Sequence, residues 1–433
     1  MNIAYITAGG AGMFCGSCMR DNTLAAALHR MGSSVTLVPT FTPIRIDEDD
    51  HSIDRVFLGG INVYLEQKSA AFRHLPRFLR RALDHPRLLR LLSKLSLQQR
   101  RSEDGAVALS LLRGEEGHQQ AEIRDLVDFI EDTLEPDLVN LTNLLIAGFV
   151  PALKRRRDVP VVVTLQGDDV FLDTLDASDR EAVLVEMRRI ARSVDGFVVF
   201  NRYYRDVMAD LLEVDVGRFH IVPLGLAEPE SFHRRRTRPA GAPPTVGYLA
   251  RICPEKGFHV LVDALLRLRE LPGMEQARLR AGGWLGGSDQ AFFERERNRL
   301  AAAGVAFDRV DLPDRAAKID MLSTVDVFSV PTVYREPKGI YVLESLAAGV
   351  PVVLPRHGAF PELLSDTGGG RLVPPNDPDA LAHELHALLL DPTERRRLGD
   401  EGRQRVCETR GDGTMARETL CAWERVRSED RPE

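Results

Sequence analysis

Short, wholly apolar runs punctuate the chain: NIAYIT at its start, then SVTLVPT, PDLVNLT, VPVVVTL, VDGFVVF and FHIVPLG, with stretches of helical periodicity between them. A half-exposed strand alternates apolar and polar positions, so runs without alternation mark strands buried on both faces. Their separation by helices predicts a parallel sheet covered on each side. The opening run, a glycine-rich loop, an amphipathic helix near Met19 to Met31 and SVTLVPT make one strand, loop, helix, strand unit. Between Ala227 and Pro244 the pattern gives way to AEPESFHRRRTRPAGAPP, whose prolines and arginine run read as a linker. It restarts with TVGYLARI, ARLRAGGW, VDVFSVPT and GVPVVLP as strands of a second doubly wound domain, and the segment from Gly411 to Glu433 reads as a polar helix.

One region departs from the alternation. Residues 70 to 120 carry HLPRFLRRALDHPRLLRLLSKLSLQQRR, a basic, leucine-rich helical insertion in the first domain. Arg87, Arg90 and Lys94 fall on one helical face, opposite Leu88, Leu91, Leu92 and Leu95. Two readings stand: a solvated face over a packed stripe, or a surface for anionic lipid headgroups or a phosphorylated acceptor.

Composition narrows the class. A chain of 433 residues exceeds one ordinary core, which fits two domains. With 44% hydrophobic and 28% charged residues it is globular, and a net charge of -7 argues against a nucleic-acid binder. The start MNIAYITAGG has no basic leader before a long apolar run, and no window reaches the ~20 apolar residues of a membrane span, so the expectation is a cytoplasmic protein. Five cysteines form no even disulfide framework, in keeping with a reducing compartment.

The richest chemistry lies in REPKGIYVLESLAAGV. Pro337 near its start and Gly349 past its end bound a helix. The backbone N–H groups of Gly339, Ile340, Tyr341 and Val342 then point out of a helix N-terminus, where hydrogen bonds and the helix dipole attract a phosphate. Glu344 sits a turn inside and Glu336 in the loop ahead, so both can edge one ligand. Carboxylates accept from vicinal hydroxyls, and such a pair suits a sugar nucleotide, with amides left for the diphosphate. The bland alternative is a helix-face acid paired with an arginine and a solvated loop acid. Upstream, VGYLARICPEKG places Arg251 and Lys256 between a strand end and a helix, where ligands of doubly wound sheets sit. Two cations there are suited to a leaving diphosphate without a metal ion. Gly358, in PRHGAFPELL, stands where backbone would approach a ligand.

These segments, with STVDVFSVPT and GGRLVPPNDPDALAHEL, resemble the donor half of the retaining GT-B glycosyltransferases of family 4, most closely from about Val246 to Leu388. The resemblance implies two Rossmann-like domains facing across a cleft: residues 1–226 binding acceptor, 227–410 binding nucleotide sugar, and 411–433 as a helix crossing back to the first domain. It implies a nucleoside diphosphate sugar of UDP or GDP type as donor and neither cofactor nor metal. Arg251 and Lys256 would bind the diphosphate, Glu344 the ribose and Glu336 the hydroxyls of the transferred sugar.

The first loop, GGAGMFCGSCMRDN, would face the diphosphate across the cleft, with Gly10, Gly12 and Gly16 allowing close approach. Its glycines are not a dinucleotide fingerprint, and no acid follows the second strand to hold a ribose. Cys15 and Cys18 form a C-x-x-C at a helix start, but Cys253, Cys407 and Cys421 supply no second pair for zinc, and close packing is the simpler reading. Similar enzymes often carry a histidine after the strand matching VVVTL; here stand Gln166, Gly167 and Asp168. Gln166, Asp168, His118 and Asn22 are the expected acceptor or sugar contacts. The reading is thus a retaining glycosyltransferase with an unidentified acceptor. Its alternatives are a sugar-nucleotide epimerase of the same architecture and a catalytically silent binding protein.

Overall fold

The computed structural model describes residues 1–9, 15–69, 72, 104–234, 241–312 and 314–429. Gly10, Gly12 and the basic face of Arg87, Arg90 and Lys94 lie outside the described residues. The chain divides into two compact units, Met1–Pro223 with Met415–Glu433, and Leu224–Thr414.

The first unit is built on six parallel strands: β1 (Asn2–Ala8), β2 (Ser34–Thr40), β3 (Leu138–Leu141), β4 (Val161–Thr164), β5 (Gly196–Val199) and β6 (Phe219–Ile221), in the order β2-β1-β3-β4-β5-β6. Every residue of the central strands β3, β4 and β5 is buried, which is why their sequences lack alternation. One face packs Leu111, Leu126, Phe149, Ile190 and Tyr204 into a core. The other packs Leu24 and Leu28 of the Gly16–Arg30 helix together with Met415, Trp423 and Val426 of the Asp412–Glu429 helix. The last helix is therefore part of the first unit: Trp423 is fully buried, its ring 6.4 Å from that of Tyr5, and its Nε1 donates to Asn140 Oδ1 at 3.2 Å.

The second unit repeats the architecture with β7 (Thr245–Leu249), β8 (Arg278–Gly282), β9 (Phe307–Val310), β10 (Val327–Phe328), β11 (Val352–Pro355) and β12 (Gly370–Val373), ordered β12-β11-β10-β7-β8-β9 and parallel throughout. The edge strands β9 and β12 have no counterpart among the apolar runs. An edge strand faces solvent, and in FDRV and GRLV only Val373 is buried, so the apolar signature is missing.

The start of the segment that reads as a linker is ordered. Residues 227–234 are not a tether: Pro229–Phe232 forms a short 3-10 turn, Phe232 is buried, and Arg315 stacks 4.8 Å from its ring and donates to Ser231 Oγ at 2.9 Å. The units part earlier, after Pro223. Polar sequence there misled because the arginine run obscured one anchoring aromatic.

Candidate functional site

In the second unit the Ile340–Ala347 helix starts at Gly339, whose φ of 82° no side-chain cap accompanies. The first N–H groups of a helix have no partner within it, so those of Ile340 and Tyr341 face outward at this end. The loop before it carries Glu336, only 3% exposed. Its Oε2 accepts from Lys256 Nζ at 2.6 Å, Tyr334 Oη at 2.7 Å and Tyr341 Oη at 2.9 Å. Its Oε1 accepts from the Lys338 N–H at 3.3 Å. Burial works against ionisation here, but the Lys256 charge and these hydrogen bonds outweigh it and hold the carboxyl down at about 2. Tyr334 and Tyr341 move the other way, pushed well above the phenolic range by burial and by Glu336, so both stay neutral donors.

Lys256 is brought to this loop by a tight turn. Gly257, at φ 69°, lies against the end of β10 so closely that a Cβ would stand 1.7 Å from the Pro331 carbonyl oxygen. The ammonium then sits 5.0 Å from both the Tyr334 and Tyr341 rings and donates to Tyr334 Oη at 2.5 Å. Arg251 is partly exposed, 4.0 Å from Glu255, and its charge reaches Tyr334. Gly358 has a different use from the one expected: at φ 60° it is pressed to Glu336, where a Cβ would fall 2.5 Å from the carbonyl oxygen, and the Ala359 N–H donates to that oxygen at 2.8 Å. The close approach is of protein backbone to protein backbone.

Glu344, eight residues on, is likewise buried, and its Oε1 accepts from Lys318 Nζ at 2.6 Å. Glu336 is not solvated, and Glu344 pairs with a lysine from the Arg315–Ser323 helix. Sequence reading passed over Lys318. Its signal was rarity, since only six of the 57 basic residues are lysines and three of them, Lys256, Lys318 and Lys338, converge on these two glutamates or their loop.

The first unit holds a second polar cluster where its strands end. Asp21 is fully buried and gathers Tyr5 Oη at 2.8 Å, Thr7 Oγ1 at 2.8 Å, Thr142 Oγ1 at 2.5 Å, Gln166 Nε2 at 3.0 Å and Arg20 Nη1 at 3.3 Å. Gln166 thus spends its amide on Asp21 and on Thr142 Oγ1, at 2.8 Å. Asp21 was missed because a charged residue early in a helix ordinarily reads as exposed; an Arg-Asp-Asn run in an otherwise apolar helix was its available clue.

Three other expected contacts are occupied by the protein itself. Asn22 donates to the Asp49 carbonyl at 2.8 Å and accepts from the His51 N–H at 2.9 Å, pinning a loop. His118 meets Gln67 Oε1 at 3.0 Å through Nδ1 while its N–H donates to Ser110 Oγ at 2.8 Å. Asp168 accepts the N–H of Leu144 at 2.7 Å and of Gln166 at 3.1 Å. Burial raises its carboxyl to about 6 against the pull of those N–H donors. A raised acid holds its proton more tightly folded than unfolded, so its stabilising contribution is present below the ordinary range near 3.8 and is lost as pH rises through 6. Denaturant unfolding of wild type between pH 4 and 6 should show a loss on the order of 2 kcal/mol that Asp168→Asn lacks, at a fixed cost of about 1–3 kcal/mol for the lost acceptor. Gly16 is the first residue of the Gly16–Arg30 helix, and Cys18 Sγ lies 3.0 Å from the Ala8 carbonyl. None of the five cysteines forms a disulfide, and among the described residues no group of histidine, cysteine, aspartate or glutamate is arranged to hold a metal ion.

A doubly wound unit with cations, outward amides and neutralised carboxylates beyond its strands' carboxyl ends is shaped for an anionic ligand that also bears hydroxyls. The family model for glycosyl transferases group 1 matches residues 230–405, and that for a glycosyl transferase 4-like domain matches residues 22–225. The chain is 30% identical over 245 residues to the MMP alpha-(1->4)-mannosyltransferase of Mycolicibacterium hassiacum, covering 56% of this chain and 57% of that one. It is 31% identical over 236 residues to the GDP-mannose-dependent alpha-(1-6)-phosphatidylinositol monomannoside mannosyltransferase of Mycolicibacterium smegmatis, covering 50% and 59%. It thus spans less than two thirds of the length of these curated relatives. The crystal structure of Anabaena HepE in complex with UDP superposes with a TM-score of 0.68 at 14% identity, covering 98% of this chain and 100% of that one. The chain belongs to the GT-B glycosyltransferases, with a family 4-like first domain and a group 1 second domain.

Proposed function

We propose that the protein transfers a sugar from a nucleoside diphosphate sugar of UDP or GDP type to an acceptor hydroxyl with retention of anomeric configuration. The observation that carries this reading is the Lys256–Glu336 pair at 2.6 Å beside the Gly339 helix start, a buried carboxylate kept charged next to outward amides. Both nucleotide types have support: UDP is bound in the HepE structure, and GDP-mannose is in the name of the Mycolicibacterium smegmatis relative.

In this reading the diphosphate lies against Arg251, Lys256 and the amides of Ile340 and Tyr341. An ammonium has three N–H donors, so Lys256 keeps one for phosphate after Tyr334 and Glu336. These groups stabilise the charge that develops as the bond from the anomeric carbon to the phosphate oxygen breaks, without a metal in that role. Glu336 accepts from hydroxyls of the transferred sugar. The acceptor oxygen bonds to the anomeric carbon from the face the diphosphate leaves, and its proton passes to the departing phosphate oxygen, so no separate base is needed. Acceptor recognition falls to the first unit.

A thermal-shift screen tests the donor assignment. A matching nucleotide or nucleotide sugar at ~100 times its Kd stabilises by ~2.7 kcal/mol, a rise of roughly 5–10 °C for a domain this size. No shift with any UDP or GDP derivative would reject it. Product analysis with donor alone separates an epimerase, which would release a new sugar nucleotide.

A further inference from the structure

Each glutamate of the spaced pair is buried against its own lysine, delivered by a different element. Glu336 receives Lys256 from the turn after β7, and Glu344 receives Lys318 from the helix that precedes β10. Both contacts are 2.6 Å, and all four side chains are largely shielded from water. Burying two ion pairs is costly, and apolar residues of similar volume would serve a purely structural end at least as well. The Arg315–Ser323 helix is firmly set for the purpose: Asp314 caps it by accepting the Ala317 N–H at 2.9 Å, and Ile319, Met321 and Leu322 anchor its inner side. A lysine in a chain that otherwise uses arginine gives a compact point charge, able to meet one oxygen of a carboxylate without spanning both.

We infer that Lys318 is a positioning residue for nucleotide recognition: through its ion pair it fixes the Glu344 carboxylate, charged and in one orientation, to accept hydrogen bonds from the vicinal hydroxyls of the nucleoside ribose. The inference rests on the proposed function. A carboxylate has about four lone-pair sites, so it can meet an ammonium and a diol together. Without the ammonium, a carboxylate buried to this degree takes up a proton or turns toward water. In the first case one oxygen becomes a donor; in the second it leaves the diol.

The test is calorimetric binding of UDP and GDP beside their 2′-deoxy analogues to the full chain. Wild type should prefer the ribonucleotide by about tenfold or more, as expected for a hydrogen bond to a charged group. Lys318→Met should lose most of that preference, while Lys318→Arg keeps part of it. Since Lys318→Met leaves a buried charge and can compromise folding, Lys318→Met with Glu344→Gln supplies a neutral pair. That double variant should fold, still bind the diphosphate through Arg251 and Lys256, and show no preference for the 2′-hydroxyl. If Lys318→Met, or the double variant where the single one does not fold, discriminates as wild type does, the pair is structural and the inference fails alone. If wild type binds neither nucleotide, the donor reading fails and this inference with it.

Discussion

Lys256→Ala should lower kcat/KM for sugar transfer, or for slow hydrolysis of the donor, by about a hundredfold, the loss of ~3 kcal/mol of transition-state stabilisation. At ~4 Å and an effective dielectric near 20 a charge is worth up to about 4 kcal/mol against a phosphate anion, so one ammonium suffices for an effect of this size. The same substitution strips Glu336 of its counter-ion. In wild type that carboxyl is held at about 2, so its contribution to stability is complete above the ordinary range near 4.5 and is lost only as pH falls through 2. With Lys256 gone the burial effect is left opposed only by the Tyr334, Tyr341 and Lys338 hydrogen bonds, and the carboxyl moves upward. Once it passes the ordinary value, the variant's stability falls rather than rises with pH through the carboxylate range, with a cost of roughly 3–5 kcal/mol where Glu336 remains charged. Lys256→Met with Glu336→Gln separates the effects: its melting temperature should recover toward wild type while its turnover does not. Full activity in Lys256→Ala would reject the role given to this residue.

Asp21→Ala should destabilise the first unit by roughly 3–5 kcal/mol, the usual cost of leaving a buried charge and its donors uncompensated. Five side chains converge on Asp21, and truncation leaves the Arg20 charge and the hydroxyls of Tyr5, Thr7 and Thr142 without their common acceptor. Burial pushes the Tyr5 hydroxyl far above its usual range, so it stays a donor at every accessible pH and cannot compensate by ionising. Denaturant unfolding followed by Trp423 fluorescence reports on the event, because Trp423 packs beside Tyr5; the other tryptophan, Trp284, belongs to the second unit and is replaced by phenylalanine for the measurement. An unchanged midpoint would mean that the cluster is not coupled to folding.

The sheets were legible because buried parallel strands are built mainly from apolar side chains, and ten of the twelve strands coincide with segments that read as strands. Legible, too, was the helix start after Glu336, where a proline, a glycine and an apolar run specify the boundary locally. The failures have one physical source. Pro229–Phe232 packs through a single phenylalanine, β9 and β12 lie at sheet edges, and Lys318 and Asp21 are charged residues whose burial depends on partners remote in sequence.

By itself, then, the order of residues determined the two layered α/β units and the place of Glu336, Glu344, Arg251 and Lys256 at strand ends and a helix start, since each follows from local periodicity and turn chemistry. Only the tertiary structure decided what each charge meets. Lys256 turns to Glu336, Lys318 to Glu344, Gly358 closes on backbone, Asn22 is consumed by a neighbouring loop and His118 by two helices, and the last helix joins the first unit through Trp423. Ion pairs and buried hydrogen bonds carry no periodicity. Their partners are chosen by how distant segments pack, and that information is absent from any single stretch of the chain.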